Sequence, residues 1–142
     1  MPTSPIVLDT TAFSGLIYAR KSLLQRYRME RLHDTRFLLC PVVWYETRRG
    51  LQKVAAESKL RRLDQITPFF RWENLNRADW LLAADTWAAL ALRGRTPGDA
   101  DLLIAVFAAQ RSARLVTSNV RHFDVLASVL TLTVEDWQPA VP

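Results

Sequence analysis

The sequence contains a single cysteine, Cys40. A lone thiol excludes an internal disulfide and any metal site built from several cysteines, and it fits a reducing compartment. Histidine is almost as scarce. His33 and His122 have no metal-ligand spacing, so zinc chemistry on imidazoles is excluded and both read as surface or packing residues. Four glycines and seven prolines leave little material for a flexible linker. No segment repeats and none is low in complexity. No run approaches the roughly 18 uninterrupted apolar residues of a membrane-spanning helix. The start, MPTSPIVLD, lacks the basic region and long apolar core of a secretion signal. The expectation is a cytoplasmic protein with no membrane partner.

What is present is ordinary for a globular chain. The 142 residues are 49% hydrophobic and 23% charged, enough for one domain, 1–142, with a real core. The net charge is +5 and arginine dominates it. Basic residues gather at Arg20, Lys21, Arg26, Arg28 and Arg31, at Arg48 and Arg49, and at Arg61 and Arg62. Guanidinium forks suit phosphate. A nucleic-acid partner and a merely solvated basic face both remain open on charge alone.

Apolar patterning predicts strands at 5–9 (PIVLD), 36–40 (RFLLC), within 68–75, at 114–119 (RLVTSN) and at 130–135 (LTLTVE). Between them lie helical spacings. Residues 11–32 read as two helices or one bent at Gly15. Pro41 opens a helix to about residue 56 as a first-turn proline. Further helices are expected at 58–66 and at 78–94, the latter stopped by Gly94, with a helical turn at 119–126. Thr96-Pro97-Gly98-Asp99 has the pattern of a capped helix start, running to about Arg111. Alternating strands and helices give an α/β class with a largely parallel sheet. Ligands then bind beyond the carboxyl ends of the strands.

The acids fall at that rim. Asp9 ends the first strand, Glu46 lies in the first turns of the helix after the second, Asp101 starts the helix before the fourth, and Asn119 follows the fourth. Each has an ordinary structural reading beside a functional one. Asp9 can cap the next helix, Glu46 can pair with Arg48 or Arg49, and Asp99 can offset a helix dipole. Asp101 points roughly 200° away from Asp99. It heads a stripe of Ile104, Ala105 and Ala108, where an unpaired carboxylate is costly. Glu46 likewise interrupts a row of Val43, Gly50 and Val54, and Gly50 is expected to admit a neighbouring backbone. Carboxylates meeting at about 4 Å repel by on the order of 4 kcal/mol at an effective dielectric of about 20. A divalent cation reverses that sign, and hard oxygen ligands select Mg²⁺ or Mn²⁺. Beside a basic surface, such a site suits phosphodiester hydrolysis.

IVLDTTAF, VVWYETRRGL, GDADLLIAVFAA and LVTSNVRHF resemble, in order and spacing, the four motifs of PIN-domain ribonucleases. The match is closest to VapC-type toxins of type II toxin–antitoxin pairs, and the ending VEDW is similar too. The resemblance implies a five-stranded parallel sheet between helices and a Mg²⁺- or Mn²⁺-dependent endoribonuclease acting on RNA, often structured RNA such as tRNA. It implies Asp9, Glu46 and Asp101 as the acidic metal-site residues, with Thr11 and Thr117 as polar neighbours. A homodimer and a cognate antitoxin covering the active site are implied as well. The fourth position, often Asp in this family, is Asn119 here. That implies one tightly held ion, with a second only when RNA phosphate completes its shell.

Two rivals stand beside this reading. A haloacid-dehalogenase-type phosphatase needs an Asp two residues after the first, where this chain has Thr11. A catalytically inactive PIN-like module would only bind RNA or protein. Trp44, Trp72, Trp80 and Trp87 read as core or dimer packing rather than as stacking platforms. The basic segment 20–36, with its tyrosines and leucines, reads as a grip for RNA or a groove for an antitoxin helix.

Overall fold

Short strands make the sheet, the central ones buried on both faces and the edges exposed or half-buried. The computed structural model of the chain describes residues 4–137. Among them are five strands: β1 (Ile6–Leu8), β2 (Phe37–Leu39), β3 (Arg71–Trp72), β4 (Arg114–Val116) and β5 (Thr133–Glu135). Every neighbouring pair is parallel, in the order β3-β2-β1-β4-β5. Strands covered on both faces must be apolar on both. IVL of β1 and FLL of β2 are accordingly buried at every position.

The helices are α1 (Thr10–Ile17), α2 (Lys21–Leu32), α3 (Pro41–Lys53), α4 (Glu57–Ile66), α5 (Arg77–Ala91), α6 (Asp99–Gln110) and the short α7 (Asp124–Ala127). Single 3₁₀ turns occupy Thr67–Phe69 and Val120–Phe123. The expected α/β class and parallel sheet are observed. The predicted break within 11–32 is real: α1 ends at Ile17 and α2 starts at Lys21, and a Cβ on Gly15 would run into the Leu23 side chain, so the corner packs most closely over glycine. At Gly50 a Cβ would meet nothing within 4 Å. The expected close backbone is not there, because that face of α3 looks onto open space.

The start of α6 also differs from expectation. Its cap is Gly98, in extended backbone and without a side-chain capping bond, and the helix begins at Asp99 rather than at Pro97. Asp99 and Asp101 both fall in the first turn, where carboxylates offset the exposed N–H groups and the dipole. The strand predicted at 114–119 stops at Val116, so Thr117, Ser118 and Asn119 are released into the rim. None of the four tryptophans singled out above belongs to the core. Trp72, Trp80 and Trp87 are exposed and Trp44 is only partly buried.

Charged clamps tie the sheet edge to the helices. Arg114 on β4 grips both carboxylate oxygens of Glu135 and donates to Glu30 Oε1 of α2 at 3.1 Å. Burial pushes the Glu30 carboxyl up, but hydrogen bonds from Thr35 and Arg114 and the charges of Arg114 and Arg26 outweigh it, so its pKa is lowered. The Arg114 hydrogen bond leads in lowering Glu135. A depressed carboxyl contributes stability that is complete above its ordinary value of 4.5 and lost as pH falls through its lowered folded value. Thermal melts should therefore show Arg114→Met well below the wild type at neutral pH. The gap should narrow as pH drops below 4.5; a gap constant across that window would count against the clamp.

Candidate active site

In this strand order the chain leaves β1 toward β2 and β3, then returns to the other side of β1 as β4 and β5. The reversal opens a crevice beyond the carboxyl ends of β1 and β4, the place where such sheets bind ligands. Asp9 follows β1 there and Thr117 follows β4.

Asp9 caps α1 as well as facing the crevice. Its Oδ1 accepts from Ala12 N at 2.8 Å and from Thr11 Oγ1 at 2.7 Å, and its Oδ2 accepts from Thr117 Oγ1 at 2.5 Å. The side chain is only 3% exposed. Burial raises its pKa, and the bonds from Thr117, Ala12 and Thr11 oppose that without cancelling it. The threonines are themselves fixed. Thr11 Oγ1 accepts from Ser118 N at 3.0 Å and Thr117 Oγ1 accepts from Asn119 N at 2.9 Å. Both expected neighbours of Asp9 thus touch it, and Asn119 joins through its backbone.

Glu46 arrives from the second turn of α3. Thr10 Oγ1 donates to its Oε1 at 2.6 Å, and Arg49 stands 3.6 Å from its Oε2. The ion pair and the crevice position are not alternatives; Glu46 has both. Asp101, at the third position of α6, is half-buried, and among the described residues no hydrogen bond reaches its carboxylate. Burial raises its pKa; the charge of His122 opposes this, while the charges of Asp9 and Glu46 raise it further. Asp101 therefore lies within electrostatic reach of both other acids. Asp99 turns to the opposite face and borders an apolar groove with Trp80 and Trp87.

Two contacts had no sequence signal. His122 Nδ1 lies 3.9 Å from Asp101 Oδ2, although His122 had read as a bystander; it follows Asn119 by one turn, which is the only hint. Thr10 holds Glu46 across 36 positions.

The donors are all hard oxygen. Among the described residues, no three of His, Cys, Asp and Glu stand close enough together to hold a metal ion as a group. Oxygen donors of this kind suit hard cations such as Mg²⁺ or Mn²⁺ rather than zinc. Such cations keep several waters and take one or two carboxylates, completing their shell with substrate phosphate. Among the described residues Asp101 is the one of the three acids whose oxygens accept no hydrogen bond, which leaves it the freest to serve.

Comparison with known proteins agrees with this architecture. The PIN domain family matches residues 6–128. No curated protein matches the sequence closely enough to count as a relative. Solved structures are similar over almost the whole chain. One is from VapBC2 of Rickettsia felis bound to a DNA fragment from their promoter, at 21% identity and TM-score 0.82, covering 94% of this chain and 98% of that one. Another is from VapBC-1 of nontypeable Haemophilus influenzae, at 25% identity and TM-score 0.74, covering 93% and 97%. A third is from VapBC-5 of Mycobacterium tuberculosis, a member of the VapBC family of toxin–antitoxin systems, at 20% identity and TM-score 0.69, covering 94% and 99%.

Proposed function

The chain belongs to the PIN domain family, and from that premise we propose that it is a metal-dependent endoribonuclease, the toxin of a toxin–antitoxin pair. Nuclease activity is the general function of the family. The observation that carries the reading is Asp101: a half-buried carboxylate that no hydrogen bond reaches among the described residues, whose pKa is raised first by burial and then by the charges of Asp9 and Glu46, against the opposing charge of His122. Folding tolerates such a group more readily when a cation answers its charge.

Asp9, Glu46 and Asp101 would hold Mg²⁺ or Mn²⁺, which when bound supplies an activated water and charge stabilisation at the phosphate. The remaining chemistry belongs to the chain. Thr11 and Thr117 fix both oxygens of Asp9, and Thr10 fixes Glu46. Asn119 offers a neutral polar group at the fourth position, which suits contact with RNA better than a second tightly held ion. The basic surface holds flanking phosphates by counterion release.

Two surfaces support the partners. A groove of about 770 Å³ is bordered by Tyr27, Arg28, Arg31, Leu32, Ile66 and Phe69, an apolar floor with an arginine rim. It suits an amphipathic helix of the cognate antitoxin. Between α5 and α6, Trp80, Ala83, Trp87 and Leu102 border a second groove of about 500 Å³, which suits a homodimer. Among the described residues no helix is long and apolar enough to cross a membrane. Cytoplasmic action on RNA such as tRNA is part of the proposal.

Expression without antitoxin tests the proposal. The wild type should arrest growth and leave new RNA ends that map the cut, and Asp9→Ala should do neither. Purified wild type should lose cleavage in EDTA and regain it with Mg²⁺ or Mn²⁺. Equal harmlessness of both chains, with no cleavage in either metal, would leave the inactive binding module as the better account.

A further inference from the structure

Two arginine–aromatic stacks stand side by side on α3, each with i,i+4 spacing. Arg48 lies over Trp44 at 5.5 Å and Arg49 over Tyr45 at 4.9 Å. Their surroundings differ. Arg48 pairs with Asp64 of α4 at 3.3 Å, and Trp44 meets Trp72 of β3 edge-on at 5.7 Å. That stack ties α3 to its neighbours and has a structural purpose.

The Tyr45–Arg49 stack has none of this. Tyr45 is 56% exposed and the Arg49 side chain 58% exposed. Among the described residues, no other element supplies a hydrogen bond or ion pair to either. Apart from Tyr45, Arg49 has only Glu46 of its own helix, at 3.6 Å, longer than a hydrogen bond. An exposed pair of this kind adds little to folding. The next residue, Gly50, adjoins open space. An exposed aromatic ring and an exposed guanidinium, held chiefly by each other, thus sit within one turn of Glu46. Those are the two groups that hold an unpaired nucleotide: a ring for the base and a cation for the phosphate.

We infer that Tyr45 and Arg49 form a nucleotide-holding step at the edge of the active site, with Tyr45 stacking an unpaired base of the RNA and Arg49 taking an adjoining phosphate. The inference rests on the nuclease reading and deepens it. It selects single-stranded or looped RNA, because bases inside a duplex have no free face to offer.

The test is binding of a labelled single-stranded oligoribonucleotide of mixed sequence to the full chain in EDTA, which separates binding from cleavage. Tyr45→Ala should raise Kd about tenfold and Tyr45→Phe should leave it unchanged. Arg49→Ala should weaken binding and reduce the salt slope by about 0.7, and Arg49→Lys should preserve the slope. Duplex RNA should not distinguish Tyr45→Ala from the wild type. Both residues are exposed, so the variants should melt with the wild type. Single-strand binding by Tyr45→Ala and Arg49→Ala within about twofold of wild type, or no binding by the wild type itself, overturns the inference. If the wild type cleaves RNA and the variants bind it normally, only this step falls. If the wild type binds through these residues and never cleaves in Mg²⁺ or Mn²⁺, the nuclease reading falls and this step stands.

Discussion

Asp101→Asn is expected to abolish cleavage and at the same time to raise the melting temperature of the metal-free protein. The two effects share a cause. The Asp101 carboxyl has a pKa raised by burial and by the neighbouring charges of Asp9 and Glu46, only partly opposed by His122. A raised folded pKa means that stability is complete below the ordinary value of 3.8 and is lost as pH rises through the folded value. At neutral pH the ionised group therefore destabilises the fold. Asparagine keeps the shape and removes the charge, so the variant should melt higher at pH 7 in EDTA. Its advantage should vanish below pH 3.8. Activity should fall on the order of 10²-fold or more, the scale seen when a group that stabilises transition-state charge is removed. Added Mg²⁺ should stabilise the wild type and leave the variant unmoved. A variant that melts lower at pH 7 and still cleaves would show that Asp101 is an ordinary helix-start acid. Asp9 cannot give so clean a result. It caps α1 and accepts three hydrogen bonds, so its removal mixes function with folding.

The centre of the sheet was legible because β1 and β2 are apolar runs flanked by polar residues, and burial on both faces leaves no other composition for them; the exposed edge strand β3 carries no such signal. The rim was legible for the converse reason: Asp9, Glu46 and Asp101 interrupt apolar stripes, and an interruption must be answered by something. Helix ends were harder to read. Glycine and asparagine usually mark a left-handed final residue. Here that conformation is adopted by Ala19, Asp34, Ala55 and Ser112, alongside Gly94. With so few glycines, most of the stops were invisible. The bond from Thr10 to Glu46 and the approach of His122 to Asp101 join residues whose separation carries no periodicity. The same holds for Asp79, which drew no attention within a predicted helix and is the most buried acid in the protein.

Arg111→Ala should be among the most destabilising single changes in this chain, although Arg111 is remote from the crevice. Asp79 is 0% exposed. One of its oxygens closes a capping box with Asn76 at the start of α5. Its charge is answered by Arg111, just beyond α6, whose Nη2 lies 2.9 Å from Oδ2 and whose Nη1 lies 3.1 Å from Oδ1. Arg111 also reaches the carbonyls of Phe107 and Asn74, pairs with Glu73, and lies 3.8 Å over the Phe107 ring. Removing the guanidinium strands a buried anion and at the same time loosens the α5–α6 contact. Breaking a buried pair from one side costs roughly 3–5 kcal/mol, which for a domain of this size lowers Tm by on the order of 10 °C. Arg111→Lys should recover only part of that, since one ammonium cannot reproduce the two-pronged grip. Removing both charges in Asp79→Asn/Arg111→Met should cost less than Arg111→Ala alone, because asparagine can keep the cap and no buried charge is left behind. Chemical denaturation of the three variants decides the matter. A double variant less stable than Arg111→Ala would mean that the pair itself, and not the stranded carboxylate, dominates the energetics.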